Sequence, residues 1–229
     1  MLFRSLMHLL LVGLSHKTAP VDVRERVDFQ ARGLELALRT LAARQPGGGP
    51  GELAVLSTCN RAELYVACEH PDSAKSDIVS FVSSFHDVDT SALTPHVYDV
   101  TDLDAARHLF RVAAGLESLV VGEPQILGQV KEAHAAARNA DTAGPLLNRL
   151  FHACFAVGKR VRTETNLGSG AVSVSYAAVA LARKIFGQLE GRSVVVIGAG
   201  EMGKLTAQDR KSTRLNSSHV SESRMPSSA

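Results

Sequence analysis

Residues 53–68 read Leu53-Ala54-Val55-Leu56-Ser57-Thr58-Cys59-Asn60-Arg61-Ala62-Glu63-Leu64-Tyr65-Val66-Ala67-Cys68. Residues 53–56 form one apolar run and 62–68 a second, in which Leu64, Val66 and Cys68 alternate. The turn between them is polar and carries a single cysteine. Such a pattern predicts two strands joined by a turn that presents Cys59 at its tip.

Working outward, residues 9–14 read as an earlier strand, ended by Ser15-His16-Lys17-Thr18-Ala19-Pro20. Leu34, Ala37, Leu38 and Leu41 recur at helical spacing, and Pro46-Gly47-Gly48-Gly49-Pro50-Gly51 breaks that helix. Ile78, Phe81, Val82 and Phe85 mark a second helix, and residues 96–100 a fourth strand. The expected order over residues 1–100 is β-α-β-β-α-β, an α+β arrangement of ferredoxin-like type. The turn carrying Cys59 joins the two middle strands of that order.

Residues 101–165 read as helical. Thr101-Asp102-Leu103-Asp104 has capping-box spacing. Ala106, Leu109, Phe110 and Ala113 form a stripe, and further helices are expected over 129–139 and 146–162. Residues 166–190 are expected to form a linker with a spinal helix over 172–186, closed by Gly187. Val194-Val195-Val196-Ile197 then runs into Gly198-Ala199-Gly200-Glu201-Met202-Gly203, the strand and glycine turn that open a Rossmann unit. Gly198 would make the tight turn, Gly200 admit a pyrophosphate and Gly203 allow close helix packing. That unit is expected to be truncated, spanning 191–208. The position of a ribose-reading group falls within residues 209–229, which have seven serines, four Lys/Arg, two acids and no apolar periodicity. This tail reads as non-native and without a fixed fold.

The formal charge of +2 arises in that tail, so a nucleic-acid partner would need a local basic patch. Lys131, Arg138, Arg149, Lys159, Arg160 and Arg162 dot the helical segment, with Lys159–Arg162 the first candidate for phosphate contact. Cys59, Cys68 and Cys154 form no CxxC pair and no metal-ligand spacing, which suits a reducing compartment and implies no metal. No apolar run reaches the roughly 18–20 residues of a membrane span, so a cytoplasmic location is expected.

A presented thiol followed by a nucleotide-binding turn suggests acyl capture as a thioester and reduction by a nicotinamide hydride. The residues alone leave Cys59 open between reactive thiol and small apolar filler, whereas Cys68 and Cys154 lie in apolar register. Arg61 is a cation that could lower the Cys59 pKa, and its planar fork suits a carboxylate. Ser118, Glu123, Gln125 and Gln129 are spaced through a segment interrupted by Gly122 and Pro124, and serve equally as caps or surface. His108, beside Leu109-Phe110, is more often a satisfied half-buried residue than a catalyst, and His16 reads as structural.

Four stretches together resemble glutamyl-tRNA reductase: His16–Pro20, Ser57–Glu63, Leu116–Gln129 and the glycine turn. The resemblance covers roughly residues 8–208. It implies that Cys59 is the nucleophile and His108 a proton donor or thiolate orienter. It places Thr58, Asn60 and Arg61 at the substrate, with Ser118, Glu123, Pro124, Gln125 and Gln129 lining the pocket and Glu123 able to meet the substrate ammonium. Gly198, Ala199, Gly200, Glu201, Met202 and Gly203 would hold NADPH. The implied reaction reduces glutamyl-tRNA to glutamate 1-semialdehyde through a Cys59 thioester, entering tetrapyrrole synthesis. Implied partners are glutamyl-tRNA, a second copy joined by a dimerisation domain without counterpart here, and glutamate-1-semialdehyde aminotransferase. As truncated, this polypeptide is expected not to complete the reduction. The alternatives are a tRNA-binding or regulatory fragment without turnover, or another thiol-dependent acyl-reducing dehydrogenase.

Overall fold

The computed structural model describes residues 7–48, 51–165, 167 and 181–188. It divides into two units, residues 1–170 and 171–229. In the second, residues 181–186 are helical and end at Gly187, whose φ of 72° suits a residue without Cβ. The strand expected over 194–197, the glycine turn Gly198–Gly203 and the serine-rich tail lie outside the described residues.

In the first unit, strand β1 (His8–Ser15) is followed by α1 (Val21–Arg26), α2 (Phe29–Arg32) and α3 (Leu34–Ala42). Strands β2 (Leu53–Thr58) and β3 (Arg61–Cys68) come next, then α4 (Pro71–His86), α5 (Thr90–Leu93) and β4 (Tyr98–Thr101). The helices α6 (Asp102–Ala113), α7 (Ile126–Asn139) and α8 (Pro145–Glu164) complete it. The sheet order is β2-β3-β1-β4, every neighbouring pair antiparallel. This is an α+β body built on a small antiparallel sheet. Middle in the chain, β2 is an edge in the sheet.

Three local expectations are corrected. The segment before β2 holds three helices, because Asp28 caps α2 by accepting from the Gln30 N–H, and Gly33, at φ 95°, separates α2 from α3. The fourth strand starts at Tyr98, because Thr94–His96 forms a 3₁₀ turn containing Pro95, a residue with no N–H to give a ladder. The Thr101 side chain makes no capping bond. Instead Asp102, at φ 51°, accepts from the Leu9 N–H and pairs with His8, tying the start of α6 to β1.

Successive strand residues point to opposite faces. On one face Leu10, Val12, Leu14, Leu53, Val55, Leu64, Val66 and Cys68 pack with Phe29, Leu38, Leu41, Ile78 and Phe81. On the other, Leu9, Leu11, Ala54, Leu56 and Tyr65 meet Leu109, Val112, Val130, Leu147, Phe151 and Cys154 of α6–α8. Both faces are covered, and all eight residues of β3 are buried. Glu52, just ahead of β2, accepts from the Leu146 and Leu147 N–H groups, capping α8 where the dipole favours a carboxylate. Among the described residues no helix is long and apolar enough to cross a membrane.

Candidate active site

The Cα partners Thr58 and Arg61 leave only Cys59 and Asn60 between β2 and β3. So short a hairpin cannot fold its tip inward, and Cys59 is exposed while Cys68 and Cys154 are buried. The turn is pinned from several sides. Asn60 N–H donates to Thr58 Oγ1 at 3.2 Å, and the Asn60 carbonyl accepts from His16 N–H at 2.8 Å. Arg24 of α1 donates to the Cys59 carbonyl and to Asn60 Oδ1.

Beneath the turn, β3 carries Arg61, Glu63 and Tyr65 at alternate positions. Glu63 is fully buried. It accepts four hydrogen bonds: from Arg61 Nη1 at 2.6 Å, Tyr65 Oη at 2.7 Å, Tyr98 Oη at 2.7 Å and His108 Nε2 at 2.9 Å. A buried charge persists only when paired and hydrogen-bonded. Burial pushes the Glu63 pKa up, but Arg61 and His108 outweigh it and hold the carboxyl at about 2. An ionised carboxylate only accepts, so His108 Nε2 carries the proton of this bond. Gly13 faces Glu63 across the β1–β3 pair. A Cβ there would lie 2.8 Å from Glu63 Cγ and 2.8 Å from the Ala62 carbonyl oxygen, so glycine makes the room this carboxylate occupies.

Arg61 is 2% exposed, and its second arm donates to the Glu117 carbonyl. Only Nε, also buried, is without a partner. The fork expected to receive a substrate carboxylate is therefore engaged inside the chain. The foremost cation acting on the Cys59 pKa is Arg24 rather than Arg61. Burial on the protein side of the thiol and the nearby Glu123 push it up, and Arg24 is the cation that opposes them.

The loop 114–125 runs beside this network. Its ends meet through Gly115 and Gly122, at φ 79° and 84°, with the Gly122 N–H donating to the Gly115 carbonyl at 2.9 Å. A Cβ on Gly115 would come within 3.0 Å of Gly122 Cα. Glu117 anchors the loop, accepting from Arg111 Nε at 2.6 Å and from Lys17 Nζ. Burial raises the Glu117 pKa, and those two donors more than reverse it.

Of the expected pocket residues, Ser118 is buried next to the carbonyl that holds Arg61, and Glu123 is half-buried. The Glu123 pKa is raised by burial with Arg61 opposing, so it lies within electrostatic reach of both Arg61 and Cys59. Pro124 is exposed, and Gln125 and Gln129 lie half-buried at the start of α7. The basic run on α8 is engaged in part. Arg160 pairs with Glu164, and Arg162 donates to the Glu123 carbonyl at 3.2 Å.

Sequence reasoning passed over Glu63, Glu117 and Arg24. The available signal for Glu63 was a carboxylate inside an apolar strand, two residues from an arginine on the same face. Arg24 lies on a six-residue helix with no apolar stripe to announce it, and Glu117 finds one of its two partners, Lys17, far away in sequence.

Residues 12–165 match the family model described as the N-terminal domain of glutamyl-tRNAGlu reductase. Glutamyl-tRNA reductase of Syntrophotalea carbinolica is 51% identical over 202 residues, covering 88% of this chain and 45% of its own. That of Solibacter usitatus is 48% identical over 214 residues, covering 93% and 50%. The solved glutamyl-tRNA reductase from Methanopyrus kandleri superposes with a TM-score of 0.61 at 36% identity, over 90% of this chain and 47% of that one. The chain spans about half the length of the curated relatives it matches.

Proposed function

Since the chain belongs to the glutamyl-tRNA reductase family, matching its N-terminal domain, we propose that its described part performs the thiol half of glutamyl-tRNA reduction. One observation carries the reading: the exposed Cys59 crowns a two-residue hairpin above the buried Arg61–Glu63–His108 network. The strand order β2-β3-β1-β4 supports naming residues 1–100 the ferredoxin-like part of the domain.

In this reading Cys59 Sγ attacks the ester carbonyl carbon of glutamyl-tRNA. A carbon–sulfur bond forms, the carbon–oxygen bond to the terminal ribose breaks, and the tRNA leaves. The thiol loses a proton and the ribose oxygen gains one. His108, fixed through Nε2 on Glu63, is the group assigned to carry that proton on Nδ1. Glu123 meets the substrate ammonium and Thr58 and Asn60 provide polar contacts, with Arg61 and Ser118 buried behind them as support for the pocket. Pro124, Gln125 and Gln129 complete the wall.

NADPH would supply the hydride that turns the thioester into glutamate 1-semialdehyde. The positions expected to hold it, Gly198–Gly203, lie outside the described residues. A cytoplasmic setting, pairing of two copies and transfer to an aminotransferase belong to the same reading of the longer family members.

The test needs no cofactor. The protein is mixed with glutamyl-tRNA, quenched in acid and peptide-mapped. A glutamyl mass on the Cys59 peptide, lost in Cys59→Ala, is expected. An adduct that survives Cys59→Ala, or no adduct from intact glutamyl-tRNA, overturns the proposal.

A further inference from the structure

We propose that Arg24 is a positioning residue for the nucleophile, gripping the Cys59–Asn60 turn and placing an unpaired positive charge beside the sulfur. This rests on the thioester reading above. The geometry comes from three hydrogen bonds of one side chain. Nε donates to the Ala19 carbonyl at 3.2 Å, which fixes the guanidinium at the junction of β1 and α1. Nη1 donates to the Cys59 carbonyl and, at 3.3 Å, to Asn60 Oδ1. The two residues of the hairpin loop are thus held from an element that is not part of the sheet.

Neighbouring cations are committed elsewhere. Arg61 is paired with Glu63, and Lys17 and Arg111 with Glu117. Among the described residues Arg24 forms no ion pair, so its charge is not cancelled by an adjacent carboxylate. The charged groups acting on Cys59 are Glu123 and Asp28, which disfavour a thiolate, and Arg24, which favours it. A guanidinium that is half-buried, rigidly bonded and unneutralised is the arrangement that lowers the cost of forming the anion without itself reacting. Its two hydrogen bonds to the turn also limit the directions in which Sγ can leave the hairpin, which orientation-dependent attack requires.

The experiment measures the thiol itself, in the whole 229-residue chain and without substrate. The rate of Cys59 alkylation by iodoacetamide is followed against pH by mass spectrometry, in wild type, Arg24→Gln and Arg24→Lys. The thiolate is the reactant, so a raised pKa slows reaction at fixed pH. Arg24→Gln should move the midpoint upward and slow alkylation at neutral pH by roughly threefold to tenfold, one pKa unit being about a factor of ten. Arg24→Lys keeps the charge but lacks the fork, and should recover most of the midpoint.

Cys68 and Cys154 are internal monitors, since both are buried and react only when the chain opens. If Arg24→Gln exposes them, the comparison is made between wild type and Arg24→Lys combined with Glu123→Gln, whose midpoint should fall below that of wild type. A profile for folded Arg24→Gln that overlays wild type overturns the assignment, as does an equal upward shift in both single variants. Absence of the glutamyl adduct in wild type together with the expected midpoint shifts would sink the thioester reading and leave the hold of Arg24 on the thiol standing. A normal adduct with unmoved midpoints would do the reverse.

Discussion

The two faces of the sheet are equally buried and held by different physics. On the side of α4, β3 contributes Ala62, Leu64, Val66 and Cys68 to a core in which Phe29, Phe81, Phe85 and His86 pack ring against ring. On the side of α6, the intervening residues of the same strand are Arg61, Glu63 and Tyr65, closed by Tyr98 and His108. The first face is stabilised by area and close packing, and tolerates any well-filled substitute. The second adds to its apolar packing against α6–α8 a set of four donors around one carboxylate, so removing any single member exposes the others to a low-dielectric interior. Cys59 stands at the end of the second face. Burial alone does not separate core from site here; the chemistry of alternate residues does.

The largest effects should come from breaking each face at its centre. Phe81 is fully buried, and Phe81→Ala should cost about 3–5 kcal/mol in denaturant unfolding. Glu63→Gln leaves Arg61 without its carboxylate and should cost a similar amount, about 3–5 kcal/mol. The two variants should part in chemistry. In conditions where both are folded, Phe81→Ala keeps the glutamyl adduct on Cys59 and Glu63→Gln loses it, because His108 is released. For the same reason Arg61→Ala should damage the fold as much as substrate use, contrary to the sequence-based expectation of an arginine open to ligand. A Glu63→Gln variant within about 1 kcal/mol of wild type would show that the polar face is not a closed network.

Acid should weaken the two faces in separate windows. Burial and the adjacent Arg32 lower the His86 pKa from 6.5 to about 4. The unfolded chain then binds the proton first, so stability falls as pH drops from 6.5 towards 4. The Glu63 pKa is also depressed, from 4.5 to about 2. Its contribution is complete above 4.5 and lost as pH falls towards 2. Each limb is worth no more than about 3.5 kcal/mol by the usual conversion of pKa shift to free energy. Unfolding free energy measured from pH 7 to pH 2.5 should therefore decline in two stages, with His86→Leu flattening the upper one and Glu63→Gln the lower. A single decline unaffected by either substitution would contradict the separation.

How much of this could be read from sequence follows the same division. The apolar face announces itself by period: Leu64, Val66 and Cys68 do share one core, as do Leu38 and Leu41 of α3 and Ile78 and Phe81 of α4. The exposed Cys59 also follows from its polar turn. The polar face is not periodic. The donors to Glu63 come from β3, β4 and α6, up to 45 residues away, and each looks in isolation like a strand aromatic or a surface histidine. Helices α1 and α2 are six and four residues long, too short for any stripe, and α1 carries the arginine that holds the Cys59–Asn60 turn. The capping box at Thr101 failed for a different reason: its acid, Asp104, pairs with Arg107 instead, and the start of α6 is tied to β1 by the non-local partners of Asp102.

That last competition gives the smallest prediction, and it decides how the polar face is hung on the sheet. If α6, which bears His108, were held by its own N-cap, Thr101→Ala would cost about 0.5–2 kcal/mol. The Thr101 side chain makes no such bond, so the cost should stay below about 0.5 kcal/mol. Asp102 bonds to His8 and to the Leu9 N–H while holding a positive φ that alanine adopts less readily. Asp102→Ala should therefore cost about 1–2 kcal/mol through strain and the orphaned strand N–H. Because that N–H lies on β1, the loss should also loosen the seat of α6 and slow formation of the Cys59 adduct, which Thr101→Ala should leave untouched. Parallel thermal and adduct measurements on the two variants settle the order. A costlier Thr101→Ala would mean that α6 is fixed locally, and that the two faces are less strongly coupled through β1 than the Asp102 contacts require.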